Sequence, residues 1–83
     1  MGMKFIIFSR PGCPFCDDAQ SLLEKKNKNF KVVNFNLDQA EILKEIQDMY
    51  GWKTVPMVFK REKNDIGFIG GHSDLVEFLE KGE

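Results

Sequence analysis

An α/β domain of order βαβαββα, with four strands in one mixed sheet and three flanking helices, is the fold class this sequence predicts. Three observations predict it. An unbroken apolar run, Phe5-Ile6-Ile7-Phe8, stands near the start; apolar residues then recur at helical spacing in three separate stretches; and two later apolar runs lie close enough to pair as a hairpin. The 83 residues suit a single domain, expected to span 1–83. Hydrophobic residues make up 42%, with eight Phe and one Trp, which is enough for a real core, although a domain this small removes only about 60% of its extended-chain surface from water.

Each element has its own signal. Phe5 to Phe8 shows no alternation, as suits a strand buried on both faces, and Ser9-Arg10-Pro11-Gly12 supplies the turn that ends it. From Cys13 to about Asn27, Cys16, Ala19, Leu22 and Leu23 recur every three or four residues, with Pro14 suited to the first turn and lysines near the end. Phe30 to Leu37 carries Val33, Phe35 and Leu37 at period two, a second strand. Asp38 with Glu41 three residues on has the pattern of a capping box, and Ile42, Leu43, Ile46, Met49 and Tyr50 form a stripe that stops at Gly51. Pro56 to Phe59 is read as a strand, Lys60 to Asp65 as a hairpin loop and Ile66 to Ile69 as the partner strand. Gly70-Gly71 ends it, and Ser73 or Asp74 can cap a last helix through Leu75, Phe78 and Leu79 that closes near Gly82. The first βαβ unit requires a parallel pair with a right-handed crossover; the hairpin supplies antiparallel neighbours.

Charge and cysteine usage remove whole classes of function. Twelve Lys plus Arg face 13 Asp plus Glu, a formal net charge of −1, so the field that draws proteins onto nucleic acid or anionic lipid is missing. The clusters Lys25 to Lys28 and Lys60 to Lys63 are read as solvated surface. Two cysteines are too few for a secreted disulfide framework, and Phe5 to Phe8 is too short for a signal-peptide core, so a cytoplasmic location and no membrane are expected. Gly2 would suit myristoylation, except that Ile6 stands where that pattern needs Ser or Thr.

Cys13-Pro14-Phe15-Cys16 sits where the first strand gives way to the first helix. Residues three apart share a helix face, so the two sulfurs can meet. A thiol at a helix N-terminus, facing unpaired N–H groups and the positive end of the dipole, ionises below the free value of about 8.5. Cys13 occupies that position and is the expected nucleophile; Cys16, one turn deeper, is expected to act second and resolve a mixed disulfide. Arg10 favours the thiolate, whereas Asp17 and Asp18 oppose it unless they point outward. Two other readings are open. Both cysteines can be small buried hydrophobes, or, with His72, they make three possible zinc ligands where a closed structural site wants four.

Taken together, Cys13-Pro14-Phe15-Cys16, Thr54-Val55-Pro56 and Gly70-Gly71-His72-Ser73-Asp74 resemble a dithiol glutaredoxin over nearly the whole chain. The resemblance implies a thioredoxin-like fold and a glutathione-disulfide oxidoreductase that reduces protein disulfides and glutathionylated proteins through Cys13 and Cys16. Glutathione would be the reducing co-substrate, with no metal expected. The resemblance also implies a cis Val55–Pro56 bond, with the Val55 backbone pairing with the cysteinyl part of glutathione. The γ-glutamyl end would lie at Gly71, Ser73 and Asp74, and the glycine carboxylate at Arg10; Phe15 and Thr54 complete the set. Glycines also let a ligand approach the main chain closely. Ribonucleotide reductase is an implied client, and a monomer the implied state. Alternative functions are a glutaredoxin-like electron donor served by thioredoxin reductase and a module carrying an iron–sulfur cluster or zinc.

Three positions depart from the family pattern. Phe15 stands where Tyr is commoner, His72 where relatives often have Cys, and Leu43 where they often carry a polar or basic residue on the second helix, a role that Lys44, Gln47 or Lys53 can take over. Tyr50 and Trp52 beside Gly51 are read as packing against the core rather than as a partner ledge, and Met1, Met3, Met49 and Met57 form no cofactor box.

Overall fold

In the computed structural model, residues 3–81 are described. The elements are β1 (Lys4–Ser9), α1 (Pro14–Lys25), β2 (Asn29–Asn34), a 3-10 turn (Leu37–Gln39), α2 (Ala40–Tyr50), β3 (Met57–Glu62), β4 (Asp65–Gly70) and α3 (His72–Glu80). The order βαβαββα and the four-stranded mixed sheet agree with the expectation. The last helix ends at Glu80 with Lys81 as its C-cap, close to the expected end; Met1, Gly2 and Gly82 themselves lie outside the described residues.

The strands run in the order β2-β1-β3-β4. β1 is parallel to β2, with Lys4 opposite Asn29 and Ser9 opposite Asn34, and antiparallel to β3. β3 and β4 form the antiparallel hairpin, with an irregularity at Val58 and Phe59. Because side chains alternate along a strand, β1 feeds two cores. Phe5 and Ile7 join Val58 on the face covered by α1 and α3, where Ala19, Leu23 and Leu75 are fully buried. Ile6 and Phe8 point to the other face, where Phe35, Leu43, Met57 and Phe59 are buried beneath α2. Aromatic rings dominate this second core: Phe8 lies 5.2 Å from Phe35 and 5.0 Å from Phe59, and Trp52 meets Phe68 edge-on at 5.2 Å.

Several boundaries differ from the sequence expectation, each for a local reason. β2 ends at Asn34, not Leu37. Phe35 still donates its N–H to the Ser9 carbonyl (2.8 Å), but beyond it the chain turns, and Leu37 is 90% exposed. Asp38 caps nothing. Instead the Asn36 N–H donates to Gln39 Oε1 (3.0 Å) and the Gln39 N–H to the Asn36 carbonyl (2.8 Å), so the turn closes upon itself before α2 begins. The stripe on α2 is only partly used: Leu43 is buried, while Ile42 and Met49 are exposed. Gly51, at φ +64°, ends the helix as its position suggested. The hairpin loop is far shorter than Lys60 to Asp65, because Glu62 already pairs with Asp65. Lys60 is not simply solvated: its Nζ lies 5.7 Å from the centre of the Phe78 ring.

Candidate active site

β1 ends at Ser9, and the Arg10-Pro11-Gly12 turn delivers Cys13 to the N-cap of α1 in an extended conformation (φ −109°, ψ 103°). Pro14 occupies the first helical turn, where its missing N–H costs nothing. The Asp17 N–H closes that turn on the Cys13 carbonyl (3.3 Å). Cys13 and Cys16 are joined as a disulfide with Cα atoms 5.3 Å apart, and the Cys16 N–H donates to Cys13 Sγ (3.2 Å). This is side-chain capping performed by sulfur. Burial separates the two residues: Cys16 is 3% exposed, whereas Cys13 is only half-buried. Asp17 and Asp18 are both exposed.

The segment before β3 faces Cys13. Val55–Pro56 is a cis peptide bond, and the Val55 carbonyl oxygen lies 3.8 Å from Cys13 Sγ. Pro56 is buried, and Thr54 is tied to α2 by a hydrogen bond from Gln47 Nε2 to its carbonyl (3.1 Å). The third expected segment takes a different form from the one anticipated. Neither Ser73 nor Asp74 is the N-cap of α3; Gly71 is, and the Asp74 carboxylate reaches back to accept its N–H at 3.0 Å. Gly70 sits at φ +132°, and a Cβ there would collide with the Asp74 carboxylate. Its lack of a side chain therefore serves the chain's own capping group. At Gly71 an added Cβ would meet only ordinary contacts, the nearest at 3.6 Å.

Phe15 is 61% exposed on the rim and faces His72 across 6.2 Å between ring centres. No group of three or more His, Cys, Asp or Glu side chains is arranged to hold a metal ion among the described residues. Beside the Cys13 turn, between Arg10 and α2, lies a cavity of about 700 Å³. Arg10, Lys44 and Lys53 bring three cations to it against the single acid Asp48, and Phe35, Leu43 and Trp52 give it apolar walls. Leu43 is a buried core residue that also walls the cavity, and the polar face of α2 towards it is carried by Lys44, Gln47 and Asp48. Sequence reasoning missed Asn36 and Asp48 as lining residues; the Asn36-to-Gln39 spacing that closes the 3-10 turn was the available signal.

A disulfide-forming pair at the N-terminus of the first helix, faced by a cis-proline segment at the head of an adjoining strand, defines a thiol–disulfide oxidoreductase of thioredoxin-like fold. The family model described as Glutaredoxin matches residues 5–64. Glutaredoxin-1 of Oryctolagus cuniculus is 34% identical over 96% of this chain and 76% of its own length. The crystal structure of glutaredoxin 1 from Francisella tularensis superposes with a TM-score of 0.75 at 26% identity, covering 96% of this chain and 95% of that one. A buckwheat glutaredoxin–glutathione complex, 21% identical, shares the fold with a TM-score of 0.78 over 94% of this chain and 69% of its own. The chain belongs to the glutaredoxin family, and Cys13–Cys16 is its redox pair.

Proposed function

We propose that this domain is a glutathione-dependent oxidoreductase in which Cys13 is the nucleophile and Cys16 the resolving thiol. The observation that carries the reading is the contrast between the two sulfurs. In the disulfide form the Cys16 N–H and the helix N-terminus are directed at Cys13 Sγ, an environment that would favour a thiolate after reduction, while Cys16 is shielded. With a glutathionylated protein, the Cys13 thiolate attacks the glutathione sulfur and expels the protein thiolate, which takes up a proton. A glutathione thiolate then attacks the Cys13 mixed disulfide, restoring the Cys13 thiolate and leaving as glutathione disulfide. With a protein disulfide, Cys13 forms a mixed disulfide and releases the first client thiol. Cys16 then displaces the second, and two glutathiones reduce the resulting Cys13–Cys16 bond.

Glutathione fits this site by chemistry that each segment offers. The Val55 backbone next to Cys13 Sγ suits the cysteinyl peptide unit. Arg10, with Lys44 and Lys53 across the cavity, suits the glycine carboxylate. Asp74 uses one carboxylate oxygen on Gly71 and has the other for the γ-glutamyl ammonium. Phe15 supplies an apolar rim; Thr54, Pro56 and Ser73 act through the backbone they shape. The buckwheat complex supports the choice of ligand. Clients would be disulfide-containing or glutathionylated proteins, ribonucleotide reductase among them, met by a metal-free monomer in the cytoplasm. No helix among the described residues is long and apolar enough to cross a membrane.

The test compares Cys13→Ser with Cys16→Ser in the deglutathionylation of a peptide by glutathione. Cys13→Ser should abolish turnover and Cys16→Ser retain much of it. The reverse order overturns the assignment.

A further inference from the structure

α1 and α3 share one face of the sheet, but α2 alone covers the other, and it leaves part of that face bare. Between α2 and the strands runs a groove of about 520 Å³ with Ile6, Val33, Ile46, Met49 and Ile66 in its walls and floor. Met49 is 78% and Ile66 60% exposed, an apolar surface with no cover from the described chain. The charged residues lining the groove are Lys4, Lys31 and Arg61, one from each of three adjacent strands, with no acid among them. None of the three is ion-paired among the described residues. Lys4 and Arg61 are moreover direct cross-strand partners, and like charges directly opposite each other destabilise a sheet. In a chain of net charge −1, folding gains nothing from this concentration of cations.

We propose that the groove is a docking surface for an acidic amphipathic helix of a partner protein. The six-residue strands run about 20 Å, roughly the length of a 13-residue helix. Such a helix would lie beside α2 as α1 lies beside α3, seating apolar residues on Ile6, Val33 and Ile66 and carboxylates on the three cations. A second copy of this chain does not fit, since a two-fold contact through this groove would set its three cations against the same three of the other copy, with no acid between them. A bilayer does not fit a concave surface. Strand addition would use the open edge of β2 or β4, not the face of the sheet on which these lining side chains stand. Cys13 and Cys16 do not line the groove and stand at the head of α1, which packs on the opposite face of the sheet, so an occupant of the groove leaves the dithiol open. The surface would hold a client or carrier protein while Cys13 works, independently of how glutathione binds.

The experiment titrates the full chain, isotope-labelled, with a synthetic helical peptide bearing apolar residues at i, i+3, i+4 and i+7 and Glu on its flanks. Controls are the same peptide with Lys or Gln for Glu, and vesicles containing phosphatidylserine. The Glu peptide should saturate with shifts at Ile6, Val33, Met49 and Ile66, and the Gln peptide should bind about tenfold more weakly. Lys4→Glu combined with Arg61→Glu should weaken the Glu peptide by about tenfold, with turnover of a small disulfide unchanged. Shifts confined to other surfaces, no saturation with the Glu peptide, equal binding of the Glu and Lys peptides, or the same shifts produced by vesicles alone would each overturn the proposal. The Gln peptide keeps the test decisive if the double variant does not fold.

Discussion

Replacing Gly70 and Gly71 by alanine, one at a time, should separate two jobs that adjacent glycines perform. Gly70 has φ +132°, a region that only glycine enters without strain; forcing Ala there costs about 1–3 kcal/mol. The added Cβ would also approach Asp74 Cγ to 2.6 Å and its Cβ to 2.8 Å, so turning the carboxylate aside does not clear the clash. Asp74 must then release the Gly71 N–H, a partly buried bond to a carboxylate worth about 1–2 kcal/mol. The sum, about 2–5 kcal/mol, is a large share of the stability of a domain this size, which at about 0.05–0.15 kcal/mol per residue is only about 4–12 kcal/mol. Gly71, by contrast, is extended (φ −93°, ψ −161°), and its added Cβ meets Trp52 Cζ2 at 3.6 Å and the Pro56 carbonyl oxygen at 3.7 Å. Ala there should shift stability by no more than about 0.5 kcal/mol. Urea unfolding of the two variants with equal m-values is the assay. A Gly70→Ala midpoint matching that of Gly71→Ala would refute the reasoning, showing that neither the backbone at Gly70 nor the Asp74 contact limits stability. If the γ-glutamyl end of glutathione lies along Gly71, then Gly71→Ala should raise the KM for glutathione with folding unchanged.

Three further outcomes follow from the same geometry. Leu23→Ala removes a fully buried side chain between α1 and β1 and should cost about 2–5 kcal/mol by chemical denaturation; a loss below about 1 kcal/mol would mean this core collapses freely. Arg10→Gln takes one cation from the cavity beside Cys13 and, as an exposed charge worth about 0.2–1 kcal/mol, should raise the KM for glutathione up to about fivefold while leaving kcat nearly constant. Protein purified without oxygen should be colourless and free of metal by elemental analysis; a visible absorption band with stoichiometric iron would favour the cluster-carrying alternative.

Much of this architecture could be read from residues alone, because its signals are local. The unbroken run Phe5 to Phe8, the spacing of Ala19, Leu22 and Leu23, and Pro14 at a helix start each act within a few residues of themselves. The misreadings arose where distant groups decide, or where a competing neighbour closes the same turn. Phe35 keeps one more hydrogen bond to Ser9, yet Leu37 continues the same alternation in sequence while pointing into solvent. Asp38 and Ser73 have the right chemistry for caps, but Asn36 with Gln39 and Gly71 with Asp74 close those turns instead. The polar letters Lys60 to Glu62 hid a strand, because β3 leaves the core before it leaves the sheet. At the redox site the Cys-x-x-Cys spacing was sufficient to foresee the paired sulfurs. The placement of Val55 3.8 Å from Cys13 is a contact across 42 positions, and it became legible only through family likeness. Leu43 shows the limit of that route: the family pattern puts a polar or basic side chain there, whereas here an apolar one both joins the core and walls the cavity beside Cys13.

Thiol exchange at this site requires the reduced Cys13 sulfur to be an anion near neutral pH, held by the α1 N-terminus and the Cys16 N–H. Following thiolate ultraviolet absorbance against pH in the reduced Cys16→Ser protein, where Cys13 is the one thiol, measures this directly. A midpoint well below the free-cysteine value of about 8.5 is the predicted result. A midpoint at or above that value would contradict it.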